Sequence, residues 1–168
     1  MSPIVIDSSV IIDLCKTNLI EATLRLERGF VIPETMLCGE LLQIGSYTVA
    51  GLVKLGLTPH PFDEHSMALA YEYATNYPAL SEQDSFALAL AKSNDLMLLT
   101  GDKRMRTAAA EVAVKVHGTL WICDALEEAN TASIKHLISA LEHFKSDPLV
   151  RLPKDEIEAR IKKYKAKT

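Results

Sequence analysis

The chain has 168 residues, of which 48% are hydrophobic, so it is long enough to bury a core as one domain and is not a disordered protein. Its three cysteines stand far apart and outside any Cys/His cluster, which excludes a disulfide framework and a zinc site built on cysteines. The net charge of −4 combines −8 over residues 1–150 with +4 over residues 151–168. The acidic body could conceal a cation site. The basic tail could contact phosphate or an acidic partner, or could be a solvated helix.

The first residues lack the basic and apolar segments of a secretory signal peptide. No apolar run approaches the roughly 20 residues that a membrane helix requires. We therefore expect a cytoplasmic protein that has no membrane partner.

Short apolar runs alternate with helical patterns up to Gly118. In chain order the pattern predicts a strand at 4–6, a helix from residue 10, a strand at 30–33, a helix at 35–44, a helical piece within 45–56, a strand at 57–59, a helix at 64–76, a helix from residue 81, a strand at 96–100, a helix from 102 to about 111 and a strand at 112–116. Such alternation predicts an α/β fold with a parallel sheet covered on both faces. Beyond Gly118 the pattern is helical only, so we predict an α/β domain over residues 1–118 and a helical extension over 119–168.

Two aspartates directly follow predicted strands. Asp7 comes after the first strand, and Asp102 comes after the strand that ends near Thr100. In open parallel sheets the carboxyl ends of the strands form the edge where ligands bind. Each aspartate could also be only the N-cap of the helix that follows it.

Glu40 lies within the apolar stripe of its predicted helix, three residues after Leu37 and four before Ile44. An unpaired carboxylate in such a stripe is costly, and burial would raise its pKa unless a cation or a donor is near. A small rotation of the helix would instead leave Glu40 at the edge of the stripe.

Asp84 is the third residue of the helix that Ser81 opens, so a capping box explains it without any other role. It also shares a helix face with Ala87 and Leu88, which indicates that it points toward the core. An acid in that position suits a metal cluster as well as a cap.

The four acids together suggest a common site. If they converge, their mutual repulsion would be strong in a low dielectric. Hard divalent cations with oxygen ligands relieve such repulsion, and Mg²⁺ or Mn²⁺ suits an all-carboxylate set. Such an ion can activate a water and stabilise charge on a phosphodiester. The residues thus predict an acidic metal site, although spacing alone does not prove convergence.

The motifs around these acids resemble those of the PIN-domain family. In the family's order over residues 4–118, they are Ile4-Val5-Ile6-Asp7-Ser8-Ser9 with Ile11-Ile12-Asp13-Leu14, Val31-Ile32-Pro33 followed by Glu40-Leu41, Leu80-Ser81 through Asp84 with Ala87-Leu88-Ala89-Leu90-Ala91, and Leu98-Leu99-Thr100-Gly101-Asp102 with Arg104.

The resemblance implies a three-layer α/β/α sandwich with a central parallel sheet, and a catalytic domain over residues 1–118. It also implies an Mg²⁺- or Mn²⁺-dependent endoribonuclease that cleaves single-stranded or structured RNA. By position, the residues that match the family's catalytic and metal-binding acids are Asp7, Glu40, Asp84 and Asp102. The hydroxyls that match its supporting residues are those of Ser9 and Thr100.

Many small prokaryotic members of the family are toxins of toxin–antitoxin pairs and are often dimers. The resemblance therefore implies an RNA substrate, an antitoxin partner and a homodimer. The helical segment after Gly118 is longer than in the smallest toxins and looks like the extension of another PIN subgroup.

Three basic residues, Lys103, Arg104 and Arg106, follow Asp102 and could bind the phosphates that flank the cleavage site. Their alternative interpretation is a solvated basic turn of helix. Aromatic residues form only 6% of the chain and do not cluster near the acids in the sequence, so no base-binding side chain is predicted.

Two other functions stay open at this point. A phosphatase of α/β type would use Asp7 as nucleophile, but haloacid-dehalogenase-like enzymes have a second acid where this chain has Ser9. A catalytically silent PIN-fold binding module is the other alternative, and the complete set of four acids counts against it.

Overall fold

The computed structural model describes residues 2–38, 43–44 and 46–167. The strands, numbered in chain order, are β1 (Ile4–Ile6), β2 (Phe30–Pro33), β3 (Gln43–Ile44), β4 (Tyr47–Thr48), β5 (Leu57–His60), β6 (Met97–Leu99) and β7 (Val116–His117). The α-helices are α1 (Ser8–Lys16), α2 (Ile20–Leu24), α3 (Val49–Lys54), α4 (Glu64–Asn76), α5 (Glu82–Ser93), α6 (Lys103–Glu111), α7 (Thr119–Glu128), α8 (Ile134–Ser146) and α9 (Lys154–Lys165).

Five parallel strands of the described chain form one sheet in the order β5–β2–β1–β6–β7. Side chains alternate across β1, so Ile4 and Ile6 join one core cluster and Val5 joins the other. Helices α4, α5 and α6 cover the face of Val5, and α1, α2, α7, α8 and α9 cover the opposite face. The three-layer α/β/α sandwich with a central parallel sheet is thereby confirmed.

Two predicted elements differ from the structure. In the described parts of the helix predicted over 35–44, Glu34–Cys38 is a short 3-10 helix and Gln43–Ile44 is β3, which pairs antiparallel with β4. The strand predicted over 112–116 is present only at Val116–His117. Helix α6 ends at Glu111, and Ala113 has a φ of 57°, the left-handed conformation that closes many helices. That closing turn uses the residues that would otherwise extend the strand.

The three C-terminal helices pack on the same core as the sheet. Phe144 of α8 and Tyr164 of α9 are fully or almost fully buried there. Arg160 of α9 also forms an ion pair with Asp124 of α7, with 2.6 Å between Nη2 and Oδ2. The basic tail is therefore not simply a solvated helix, because one face of α9 is part of the core. Where the catalytic domain ends, predicted at residue 118, stays a prediction.

Among the described residues, no helix combines the length and the apolar character needed to cross a lipid bilayer.

Candidate functional site

Asp7 follows β1 at the carboxyl edge of the sheet, and its backbone N–H donates to the carbonyl of Leu99 at 2.9 Å. Its side chain is almost fully buried, with a relative exposure of 3%. The hydroxyls of Ser9 and Thr100 both donate to Oδ2, at 2.6 and 3.0 Å, and the backbone N–H of Ser8 donates to Oδ1 at 2.8 Å. The carboxylate is thus held in one orientation by donors from two neighbouring strand ends.

The same two hydroxyls fix the loop after β6. The backbone N–H of Gly101 donates to the Ser9 hydroxyl at 3.3 Å, and that of Asp102 donates to the Thr100 hydroxyl at 3.1 Å. Each hydroxyl therefore accepts one hydrogen bond from a backbone N–H of the loop and donates one hydrogen bond to Asp7. Two hydrogen-bonded relays tie the loop of Asp102 to the buried carboxylate.

Burial raises the pKa of Asp7 above its ordinary value, and the negative charge of Asp84 raises it further. The hydrogen bonds from Ser9, Thr100 and Ser8 act in the opposite direction. The ionised carboxylate is therefore costly in this position unless a cation lies nearby. Asp84 is thus close enough to Asp7 for its charge to act on that carboxylate.

Asp84 is also the capping residue that the sequence predicted. Its backbone N–H donates to Oγ of Ser81 at 3.1 Å, and its Oδ2 accepts the backbone N–H of Ser81 at 2.8 Å. The capping box is confirmed, and the side chain is half-buried. Capping and proximity to Asp7 therefore coexist in one residue.

Asp102 caps helix α6 and is held by Arg104. Its Oδ1 accepts the backbone N–H of Arg104 at 2.6 Å, and its Oδ2 accepts Nη2 of the same residue at 2.8 Å. The Arg104 hydrogen bonds are the main reason that the pKa of Asp102 lies below its ordinary value. The charge of Asp84 also acts on Arg104, so a guanidinium cation already compensates part of this acidic cluster.

The three basic residues after Asp102 separate in space. Arg104 is bound to Asp102 and lines a recess with Ser9. Lys103 and Arg106 line a second, neighbouring recess. Only the latter two line the recess whose wall does not include Asp102.

Glu40 lies outside the described residues. Within the part of the chain that the structure describes, no three acids, histidines or cysteines form a group that could hold a metal. Asp102 is engaged by Arg104, and Asp84 by its cap. The donor set is nevertheless carboxylate and hydroxyl oxygen throughout, which suits a hard divalent cation. A buried carboxylate whose pKa is raised by burial and by a second acid is where such a cation would stabilise the ionised form.

Asp13 is a residue that the sequence analysis did not include among the candidate site residues. It is half-buried and lines a recess of about 450 Å³ together with Ser9 and Asp102. Burial raises its pKa to about 6. The spacing in the sequence could have indicated this position, because Asp13 stands four residues after Ser9 on α1 and thus on the same helix face.

We expect Asp13→Asn to change how stability depends on pH. The pKa of Asp13 rises from 3.8 to about 6 on folding, so the folded protein binds more protons than the unfolded chain between these values. The free energy of unfolding of the wild type should therefore fall, relative to Asp13→Asn, as the pH rises from about 4 to about 6, and should stay level above that. Chemical denaturation at a series of pH values measures this difference.

Asp63→Asn is the matched control, since Asp63 caps α4 at the surface and its pKa is lowered. Its contribution to stability should instead be lost as the pH falls. A difference between wild type and Asp13→Asn that stayed constant from pH 4 to pH 7 would contradict the burial of Asp13.

Comparison with protein-family profiles matches residues 3–166 to a profile described as a PIN domain. The match includes every strand of the parallel sheet and continues through α7, α8 and α9. Comparisons with curated proteins and with solved structures found no significant match.

Proposed function

The chain belongs to the PIN-domain family, whose fold is of nuclease type, and from this premise we propose that it is a divalent-metal-dependent endoribonuclease. The proposal is carried by Asp7, a buried carboxylate at the carboxyl edge of the sheet that is oriented by two hydroxyls and lies near a second acid. A plain helix cap needs neither the burial nor the second acid.

Asp7, Asp84, Asp102 and Glu40 would hold the metal, with Mg²⁺ or Mn²⁺ as the ion. Among the described residues, two donors occupy Oδ2 of Asp7 and one occupies Oδ1. A carboxylate offers about four acceptor positions, so Oδ1 retains one for a cation. A bound divalent ion would supply an activated water and charge stabilisation for the phosphodiester.

Arg104 has two roles in this proposal. In the structure it neutralises Asp102, which lowers the repulsion among the acids. On Asp102, Oδ2 accepts one donor of Arg104 and retains one acceptor position for a cation. A substrate phosphate would compete with Asp102 for Arg104, whose planar fork of donors suits a phosphate well. Lys103 and Arg106 would bind phosphates farther along the strand.

The experiment that tests the proposed function compares three substrates. End-labelled single-stranded RNA, DNA of the same sequence and p-nitrophenyl phosphate are incubated with the purified chain in Mg²⁺, Mn²⁺ or EDTA. We expect internal cuts in RNA that require the metal. Release of p-nitrophenol from p-nitrophenyl phosphate while the RNA stays intact would favour the phosphatase alternative. No reaction of any of the three substrates in either metal would favour the silent binding module.

The toxin role, the antitoxin partner and the homodimer are proposals that rest on the family alone. Light scattering at several protein concentrations tests the homodimer: a mass that stays at that of one chain would contradict it.

A further inference from the structure

A second recess, of about 490 Å³, lies beside the candidate site between α6, the start of α7 and the segment that joins α8 to α9. Its wall shares Gly101, Arg151 and Leu152 with the recess that contains Asp102. The two recesses are therefore neighbours on the surface. A strand that passes Asp102 would have the second recess beside it.

Two stacked rings line this second recess. The imidazole of His117 lies on the indole of Trp121, with 5.0 Å between ring centroids and 18° between planes. The guanidinium carbon of Arg28 lies 5.3 Å from the centre of the Trp121 ring. Both rings are partly exposed. Partly exposed rings with cations beside them are the usual binding surface for unpaired bases.

The recess carries excess positive charge. Within the described residues, Lys103, Arg106 and Arg151 form no ion pair, whereas Arg160 is paired with both Asp124 and Glu156. Four cationic and two acidic side chains therefore line the recess, which leaves a net positive charge. Such charges attract phosphate.

Gly118 shapes the recess by leaving room for Arg106. A Cβ atom at position 118 would overlap the end of the Arg106 guanidinium. The backbone of Gly118 is extended, so the missing Cβ matters here only for the space that the flexible Arg106 side chain occupies. It lets the guanidinium of Arg106 lie close to the backbone of Gly118.

We propose that this recess binds an unpaired nucleotide of the RNA strand next to the scissile phosphate, with its base against the His117–Trp121 pair and its phosphates against Lys103, Arg106 and Arg151. This inference rests on the proposed function. The recess should select single-stranded RNA over a duplex, because paired bases are stacked inside the helix and cannot reach a protein ring. The sequence alone predicted no base-binding side chain, and this proposal departs from that expectation.

Trp121 is the only tryptophan of the chain, so its fluorescence reports on this recess directly. We would titrate the full chain in EDTA with a short mixed-sequence single-stranded RNA and, separately, with the same sequence as a duplex. Free tryptophan amide corrects for absorption by the RNA. We expect saturable quenching of Trp121 by the single strand and none by the duplex.

Variants separate the rings from the charges. By anisotropy of labelled RNA, His117→Ala, which keeps the reporter, and Trp121→Leu should each raise the Kd at least about fivefold. Lys103→Gln should lower the salt dependence, the slope of log K against log salt, by about 0.7. Lys92→Gln is the control, since Lys92 lies beside Met97 at the opposite edge of the sheet; it should leave both quantities unchanged. Melting curves verify that each variant is folded.

Binding seen by anisotropy without a change in Trp121 emission would overturn the proposal, and so would equal quenching by the duplex. Unchanged affinity in folded His117→Ala would do the same. The test does not depend on cleavage. RNA that quenches Trp121 but stays intact after Mg²⁺ is added would refute the nuclease and leave this site standing. Cleavage without quenching would refute this site alone.

Discussion

Asp7→Asn should reduce metal-dependent RNA cleavage at least about a hundredfold, because a metal ion contributes several kcal/mol to the transition state and each 1.4 kcal/mol is a factor of ten. The amide has nearly the same shape as the carboxylate but carries no charge, so it is a poor ligand for a hard cation. An end-labelled RNA time course in Mg²⁺ measures the loss. Cleavage at the wild-type rate would contradict a role for Asp7.

The same variant should stay folded without metal and melt at or above the wild-type temperature. Burial and the charge of Asp84 make the ionised Asp7 costly, and the amide removes that cost. The amide oxygen can still accept the hydroxyls of Ser9 and Thr100. Its NH₂ group then faces the N–H of Ser8, so one hydrogen bond worth about 1 kcal/mol is lost. Asp63→Asn, the same change at the surface cap of α4, should leave cleavage unchanged.

Tyr164→Ala should lower the free energy of unfolding by about 3–5 kcal/mol, the range for emptying a large aromatic site in a core. Tyr164 is fully buried, and its hydroxyl donates to Oδ1 of Asp124 at 3.2 Å. This loss is a large part of the roughly 5–15 kcal/mol by which domains are stable. At about 2–4 °C per kcal/mol for a chain of this size, the variant should melt roughly 6–20 °C lower. Differential scanning calorimetry measures this change.

Two further variants identify the cause. Tyr164→Phe keeps the ring and removes the hydroxyl, so it should cost about 1 kcal/mol. Tyr71→Ala removes a tyrosine that is 61% exposed and should cost well under 1 kcal/mol. If Tyr164→Ala melted like Tyr71→Ala, helix α9 would be peripheral to the fold rather than part of its core.

The sequence predicted the features that depend on local pattern. Short apolar runs such as Ile4–Ile6 become strands because a parallel sheet buries both of their faces. Ser81 and Asp84 satisfy a capping box within four residues. The placement of Asp7 and Asp102 at one edge follows from strand direction alone.

The remaining features depend on contacts between distant segments. Nothing in the local pattern indicates that Thr119 approaches Asp13, or that Tyr164 meets Asp124. The stacking of His117 on Trp121 depends on the angle between β7 and α7, which local pattern does not specify. The sequence suggested Arg104 as a phosphate ligand. It did not predict the ion pair that Arg104 forms with Asp102, two residues earlier in the chain.

The central claim is a divalent-metal site built on Asp7, and calorimetric titration with Mn²⁺ tests it most directly. Wild type, Asp7→Asn and Asp63→Asn would be stripped with EDTA, dialysed together and titrated under the same conditions. We predict that wild type and Asp63→Asn bind Mn²⁺ with the same affinity and that Asp7→Asn binds at least about tenfold more weakly. Equal binding by folded Asp7→Asn, or no binding by the wild type, would contradict the site.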